Sequence, residues 1–191
     1  VQNGSRLEEL HRELDRDCTL EFVTTKDRIG HDTYKRSMSF LLVKAVHDVG
    51  GHDQVERVRI HFSVSKGYYC TVEGSVRVDE AFLKKVEARM REIVREEMPI
   101  EKRSVRTREA IELFRRHGMY DKEQLFEYRL SSKVNIYKMN EFEDYYYGYM
   151  VYSTGYLKYF KLYRYDEGFV LQMPEIDKPE IVPHFQARTK F

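Results

Sequence analysis

Arg36 and Phe40, four residues apart, raise the first chemical question of this sequence. They fall in Asp32–Val49, whose pattern predicts an amphipathic helix, and positions i and i+4 of a helix lie one above the other. A histidine pair at that spacing would make half of a zinc site. A permanently charged guanidinium and a ring without a lone pair cannot. The seven histidines (His11, His31, His47, His52, His61, His117 and His184) are scattered. His47 and His52 are close in sequence, but Gly50-Gly51 breaks the helix between them, which favours surface histidines over a metal pair. There is no GxxxxGK[ST] loop and no GxGxxG, so nucleotide-phosphate chemistry within these residues is not expected. The oddest stretch is Asp144–Gly155, rich in tyrosine. It reads either as a strand beside the core with hydroxyls at its rim, or as an aromatic-lined pocket for a planar ligand such as a base. Gly148 and Ser153–Gly155 form loops, and pockets favour loops.

These side chains need a scaffold, and 191 residues can bury a real core. The net charge of +1 argues against a protein held to nucleic acid mainly by bulk charge. Two distant cysteines, Cys18 and Cys70, show no metal-ligand spacing and fit a reduced, cytoplasmic protein. No apolar run is long enough to span a bilayer, so no membrane partner is expected. Tryptophan is absent while tyrosine reaches 15.

In chain order, Asn3-Gly4 signals a turn, Leu7–Leu10 a short helical turn and Thr19–Thr25 a β-strand. A start inside a turn suggests a larger module, cut. Asp32 or Thr33 is the expected cap of the next helix, Leu41, Leu42, Ala45 and Val46 its stripe, and Gly50-Gly51 its end. Val58, Ile60, Phe62 and Val64 predict a half-buried strand, paired through a turn at Lys66-Gly67 with Tyr68–Val72. Asp79 caps the longest helix, about 80–97, with Phe82, Val86, Met90 and Ile93 or Val94 inward and Pro99 as its stop. A short strand at 100–105 precedes a helix at 107–117 with Ile111 and Phe114 inward and Gly118 as C-cap. Asp121–Gln124 reads as a capping box. From Lys133 the pattern is β, with a hairpin at 156–163 and 168–172. Pro174, Pro179 and Pro183 mark an extended tail.

The order of elements and several motifs resemble the N-terminal region of threonyl-tRNA synthetase, a TGS domain followed by a zinc-dependent editing domain related to that of alanyl-tRNA synthetase. Arg36–Leu42 sits where that family has His-Ser-x-x-His-Leu-Leu. Lys66–Tyr69 matches its Gly-Phe-Tyr-Tyr hairpin, Met98–Glu101 and Arg108–Phe114 the segment after its long helix, and Asp144–Gly155 its Asp-x-Cys-x-Gly-Pro-His loop. The resemblance implies four zinc ligands, at positions occupied here by Arg36, Phe40, Tyr146 and Met150. It also resembles bacterial uridine kinase-like proteins, in which such a module precedes a P-loop nucleoside kinase domain.

The fold expected is α+β: an antiparallel or mixed sheet with packed helices, preceded by a partial β-grasp (TGS-like) piece. The domains expected are 1–30 for that piece, 31–173 for the editing-like domain and 174–191 for a linker or tail. The function expected is a non-catalytic ligand-binding or regulatory module of a uridine kinase-like protein, with no cofactor of its own; ATP and Mg belong to a kinase domain after Phe191. Its partner would be a nucleoside, nucleotide or amino acid, with tRNA disfavoured. Arg36 would face an anion or pair with Asp144. Phe40, Tyr68, Tyr146 and Met150 would line an apolar wall, and Asp144 or Ser37 would take a ligand hydroxyl. The alternative is a metal-independent aminoacyl-tRNA deacylase with Asp144 as base, or a tRNA-binding module.

Overall fold

The computed structural model describes residues 1–116, 120–127 and 132–187. The chain is α+β, with antiparallel sheets and packed helices, as expected, and divides into two compact units. One comprises Val1–Met98 with Tyr149–Phe191, the other Pro99–Gly148.

The first unit opens with three two-residue strands, β1 (Gln2–Asn3), β2 (Arg6–Leu7) and β3 (Leu20–Glu21), in the antiparallel order β2-β1-β3. The turn at Gly4 is as expected, with φ +59°. The helical turn expected at Leu7–Leu10 is not formed, because Leu7 is drawn into pairing with Gln2. The strand expected over Thr19–Thr25 shrinks to Leu20–Glu21, whose only ladder partners are Gln2 and Asn3.

Helix α1 runs from Arg28 to Gly50, longer at its N-terminus than the sequence suggested. Its N-cap is Asp27 in place of Asp32 or Thr33. The Asp27 carboxylate accepts from the Thr24 amide at 2.7 Å and the Thr24 hydroxyl at 3.1 Å, closing a turn that delivers the chain into the helix one turn early. Gly30 is required there: a Cβ on it would stand 2.0 Å from the Thr24 carbonyl oxygen. The far end is as expected, with Gly51 at φ +81° and its amide bonded to the His47 carbonyl at 2.9 Å. The expected amphipathic pattern fails in the middle. Residues 37–46 are buried on every side, with Lys44 matched by Asp48 at 3.0 Å.

Strand β4 (Val55–Val64) and β5 (Gly67–Gly74) form the expected hairpin, closed by Ser65 and Lys66 at φ 48° and 69°. Phe62 was expected inward with Val58 and Ile60. It is 63% exposed, because the register shifts between Ile60 and Ser63, and a one-residue slip sends a side chain to the other face. Helix α2 (Glu80–Arg95) follows its sequence pattern: Asp79 accepts from the Phe82 amide at 2.9 Å, and Phe82, Val86, Met90 and Ile93 are buried.

After the second unit the chain returns with a 3-10 turn (Thr154–Tyr156), then strands β9 (Lys161–Tyr165) and β10 (Gly168–Gln172). Of the hairpin arm expected over 156–163, only 161–163 is strand; 157–160 is irregular. In the sheet order β4-β5-β10-β9 the two hairpins join edge to edge through the antiparallel pairing of β5 with β10. Met38, Leu41, Leu42, Val86, Met90, Cys70, Phe169 and Leu171 share one core between the helices and this sheet. Beyond Met173 the expected extended tail first turns back twice, with Glu175 bridged to Lys178 and the Ile181 amide donating to the Lys178 carbonyl at 3.1 Å; further on, Phe185 stacks on Tyr163 with ring centroids 5.6 Å apart.

The second unit has strands β6 (Glu101–Arg106), β7 (Lys133–Met139) and β8 (Phe142–Tyr145) in that order, with helices α3 (Thr107–Arg116) and α4 (Tyr120–Glu127). Its own core holds Phe114, Phe126, Val134 and Ile136, with Ile111 packed against it. Gly118 and His117 lie outside the described residues.

Candidate functional site

The first three turns of α1 hold the returning segment 149–159. The Tyr34 hydroxyl donates to the Tyr159 carbonyl at 2.8 Å and accepts from the Tyr159 amide at 3.0 Å. Arg36 donates to the Tyr149 carbonyl at 2.6 Å. The Ser37 hydroxyl accepts from the Val151 amide at 2.9 Å, donates to the Thr33 carbonyl at 2.8 Å and touches the Met150 sulfur at 3.3 Å. From the other side, Thr154 donates its hydroxyl to the Ile93 carbonyl at 2.6 Å and its amide to the Met98 carbonyl at 2.9 Å. An irregular segment has orphan backbone groups, and these side chains satisfy them. Burial raises the Tyr34 hydroxyl far above the ordinary tyrosine range, only partly offset by its bond to Tyr159, so it stays a neutral donor.

Between this segment, the N-terminal strands and the start of α1 lies a cavity of about 520 Å³. Its aromatic walls are Tyr34, Tyr149, Tyr152, Tyr156 and Tyr159, and its acids include Glu8 and Glu9. Glu9 accepts from the Met150 amide at 3.3 Å and has His11 at 3.9 Å. Tyr152 and Tyr156 are about half exposed, at 48% and 54%, so the rim is open to solvent. The arrangement suits a ligand with a planar ring and a cationic group: rings take the first by stacking, and rings plus carboxylate take the second.

The residues singled out from sequence are dispersed. Met150 lines the cavity. Arg36 and Ser37 sit behind it and hold its wall. Phe40 is fully buried. Tyr68 is half-buried on β5, with the Lys35 ammonium 5.3 Å above its ring. Asp144 and Tyr146 belong to the second unit. There Asp144 is buried and forms an ion pair with Lys122, and it accepts from the Tyr145 amide at 2.6 Å. Sequence reasoning missed Glu9, Tyr34 and Tyr159. Tyr34 carried a signal, since a tyrosine at i−3 from Ser37 shares its helix face; Glu9 carried none.

Zinc, which the resemblance to an editing domain implies, does not fit the side chains at the corresponding positions. A guanidinium bonded to a carbonyl at Arg36 and a buried phenyl ring at Phe40 offer no ligand. The Met150 thioether is engaged by Ser37. Among the described residues, no group of three or more His, Cys, Asp or Glu is gathered as a metal site. Among them too, no helix is long and apolar enough to cross a membrane.

No protein-family model matches the chain. It is similar to threonine–tRNA ligases: 34% identical over 163 residues to that of Thermotoga maritima, covering 85% of this chain and 25% of the relative. It is 35% identical over 147 residues to that of Syntrophotalea carbinolica (75% of this chain, 22% of the relative), and 33% over 151 residues to that of Fusobacterium nucleatum (78% and 24%). The chain thus spans about a quarter of the length of the curated relatives it matches. Over most of its length it is homologous to the N-terminal part of threonyl-tRNA synthetase.

Proposed function

We propose that this chain is a tRNA-directed module of the synthetase editing type, which binds the aminoacylated 3′ end of a tRNA in the tyrosine-walled cavity. The 3′-terminal adenine supplies the planar ring and the amino acid's ammonium supplies the cation. The observation that carries this is the pairing of five tyrosines with the Glu9 carboxylate around one open cavity. The similarity to threonine–tRNA ligases supports the ligand class. The reading favours binding over zinc-assisted hydrolysis, because Arg36 and Phe40 cannot serve as metal ligands. A nucleoside-kinase parent, with its ATP and Mg, gains no support from these relatives and is not proposed.

Isothermal titration with a non-hydrolysable aminoacyl-adenosine tests the reading. Saturable binding is expected, weakened at least tenfold by Tyr152→Ala and by Glu9→Gln. No heat at millimolar ligand would remove it.

A second reading has one observation in its favour: Glu9 puts a carboxylate on the cavity wall, where a general base would stand. That reading makes the chain a metal-independent aminoacyl-tRNA deacylase. Release of amino acid from mischarged tRNA, unaffected by chelator and abolished by Glu9→Gln, would select it over binding alone.

A further inference from the structure

A separate feature lies along α2, outside the cavity. Lys84, Ala88, Arg91 and Arg95 recur at i, i+4, i+7 and i+11, which aligns them on one helix face. All four are exposed. Two shallow troughs of about 410 and 430 Å³ run along this face and meet at Ala88 and Arg91. The opposite bank is built by Lys158, Lys161 and Arg164, on and just before β9.

The troughs therefore carry six cations: Lys84, Arg91, Arg95, Lys158, Lys161 and Arg164. Their acids are three, Glu80, Glu87 and Glu92. Two of these are already matched. Glu87 accepts from Lys161 at 3.0 Å, Arg91 at 3.1 Å and the Leu162 amide at 3.1 Å. Glu92 pairs with Arg89 at 3.2 Å, a residue outside the troughs. Among the described residues, no ion pair engages Lys84, Arg95 or Lys158. Arg91 is held in place, its guanidinium 4.5 Å from the centre of the Phe160 ring and donating to the Phe160 carbonyl at 3.1 Å. From Lys84 to Arg95 the helix rises about 16 Å, enough to follow several successive phosphates. The small side chain of Ala88 leaves the middle of the path open.

We propose that this groove is a phosphate-backbone track for RNA, with Lys84, Arg95 and Lys158 as its free contacts. This rests on the tRNA reading above for the class of polyanion, but on different residues. The balanced net charge of the chain does not oppose it, because the groove itself holds six cations against three acids.

The test is fluorescence-anisotropy titration of unacylated tRNA over a range of salt concentrations. The full chain is compared with the triple variant Lys84→Ala/Arg95→Ala/Lys158→Ala. A control triple, Arg16→Ala/Arg77→Ala/Lys178→Ala, removes the same charge elsewhere. Thermal melts confirm that both triples fold. Expected for the groove variant is at least a tenfold loss of affinity at low salt. Its log K against log salt slope should fall by about 2 to 3, near 0.7 to 0.9 per lost phosphate contact. The control should lose much less. Equal behaviour of the two triples overturns the groove and leaves the cavity reading standing. Absence of tRNA binding by the unaltered chain overturns the groove, while the cavity reading stands or falls with aminoacyl-adenosine binding. Co-sedimentation with phosphatidylserine vesicles, with no binding to tRNA, likewise overturns the RNA track. If aminoacyl-adenosine binding fails while tRNA binding depends on the groove, the cavity reading falls alone.

Discussion

The Ser37 hydroxyl receives the Val151 amide at 2.9 Å, joining the buried middle of α1 to a segment more than a hundred residues later. The same hydroxyl bonds back to the Thr33 carbonyl, so both its capacities are used. It positions the wall of the cavity without facing its interior.

Ser37→Ala should leave the Val151 N–H without its partner. The expected cost is about 1–3 kcal/mol, or a fall in Tm of roughly 2–4 °C per kcal/mol for a chain of this size. Calorimetry measures it, and an unchanged Tm would show that the segment is held by its other anchors.

Tyr34→Phe removes one hydroxyl that serves two backbone groups of Tyr159. A loss of about 1–3 kcal/mol is expected in urea unfolding. Binding of aminoacyl-adenosine should weaken with it, since Tyr159 lines the cavity. Retained affinity in a destabilised variant would separate the clamp from the ligand site.

Gly30→Ala sets two effects against each other. Alanine in place of glycine favours a helix by about 1 kcal/mol. The new methyl, however, meets the Thr24 carbonyl oxygen at 2.0 Å, a collision with backbone. Overpacking of this kind costs about 1–3 kcal/mol, so net destabilisation is expected. A more stable variant would mean that the Thr24–Asp27 turn yields easily.

Glu87 yields a pH prediction. Burial alone would raise its carboxyl, but the Leu162 amide, Lys161 and Arg91 outweigh this and hold it below its ordinary value of 4.5. A lowered carboxyl stabilises the fold above the unfolded value and loses that contribution as pH falls through the folded one. Glu87→Gln should therefore be less stable than the unaltered chain at pH 7, with the gap narrowing below about pH 4. Urea midpoints at pH 7 and pH 3 decide this; an equal gap at both would contradict it.

The cysteines should react unequally. Cys18 is exposed, whereas burial pushes the Cys70 thiol up to about 12. A disulfide-exchange reagent at pH 8 should titrate one thiol in the native protein and both in urea. Two fast thiols in the native state would show that the sheet opens around β5.

What the sequence determined by itself was local. Helix α2 was readable at its Asp79 cap and along its apolar face, because both act within a few residues, although it closes at Arg95 instead of 97 and is shorter than α1. The C-terminal end of α1 at Gly50-Gly51, the β4–β5 turn and the 165–168 hairpin were readable for the same reason. The α+β class followed from that succession of elements.

The tertiary structure decided whatever depended on a distant partner. The start of α1 moved because the Thr24–Asp27 turn closes onto Gly30, and Phe62 turned outward because a bulge changed the register. Arg36 could have met an anion or an acid by its chemistry; the fold supplied the Tyr149 carbonyl. Periodicity reports which face of an element is apolar. It carries no information on which of many remote backbone groups will lie opposite a given hydroxyl or guanidinium, and those pairings of Tyr34, Arg36 and Ser37 are what shape the cavity.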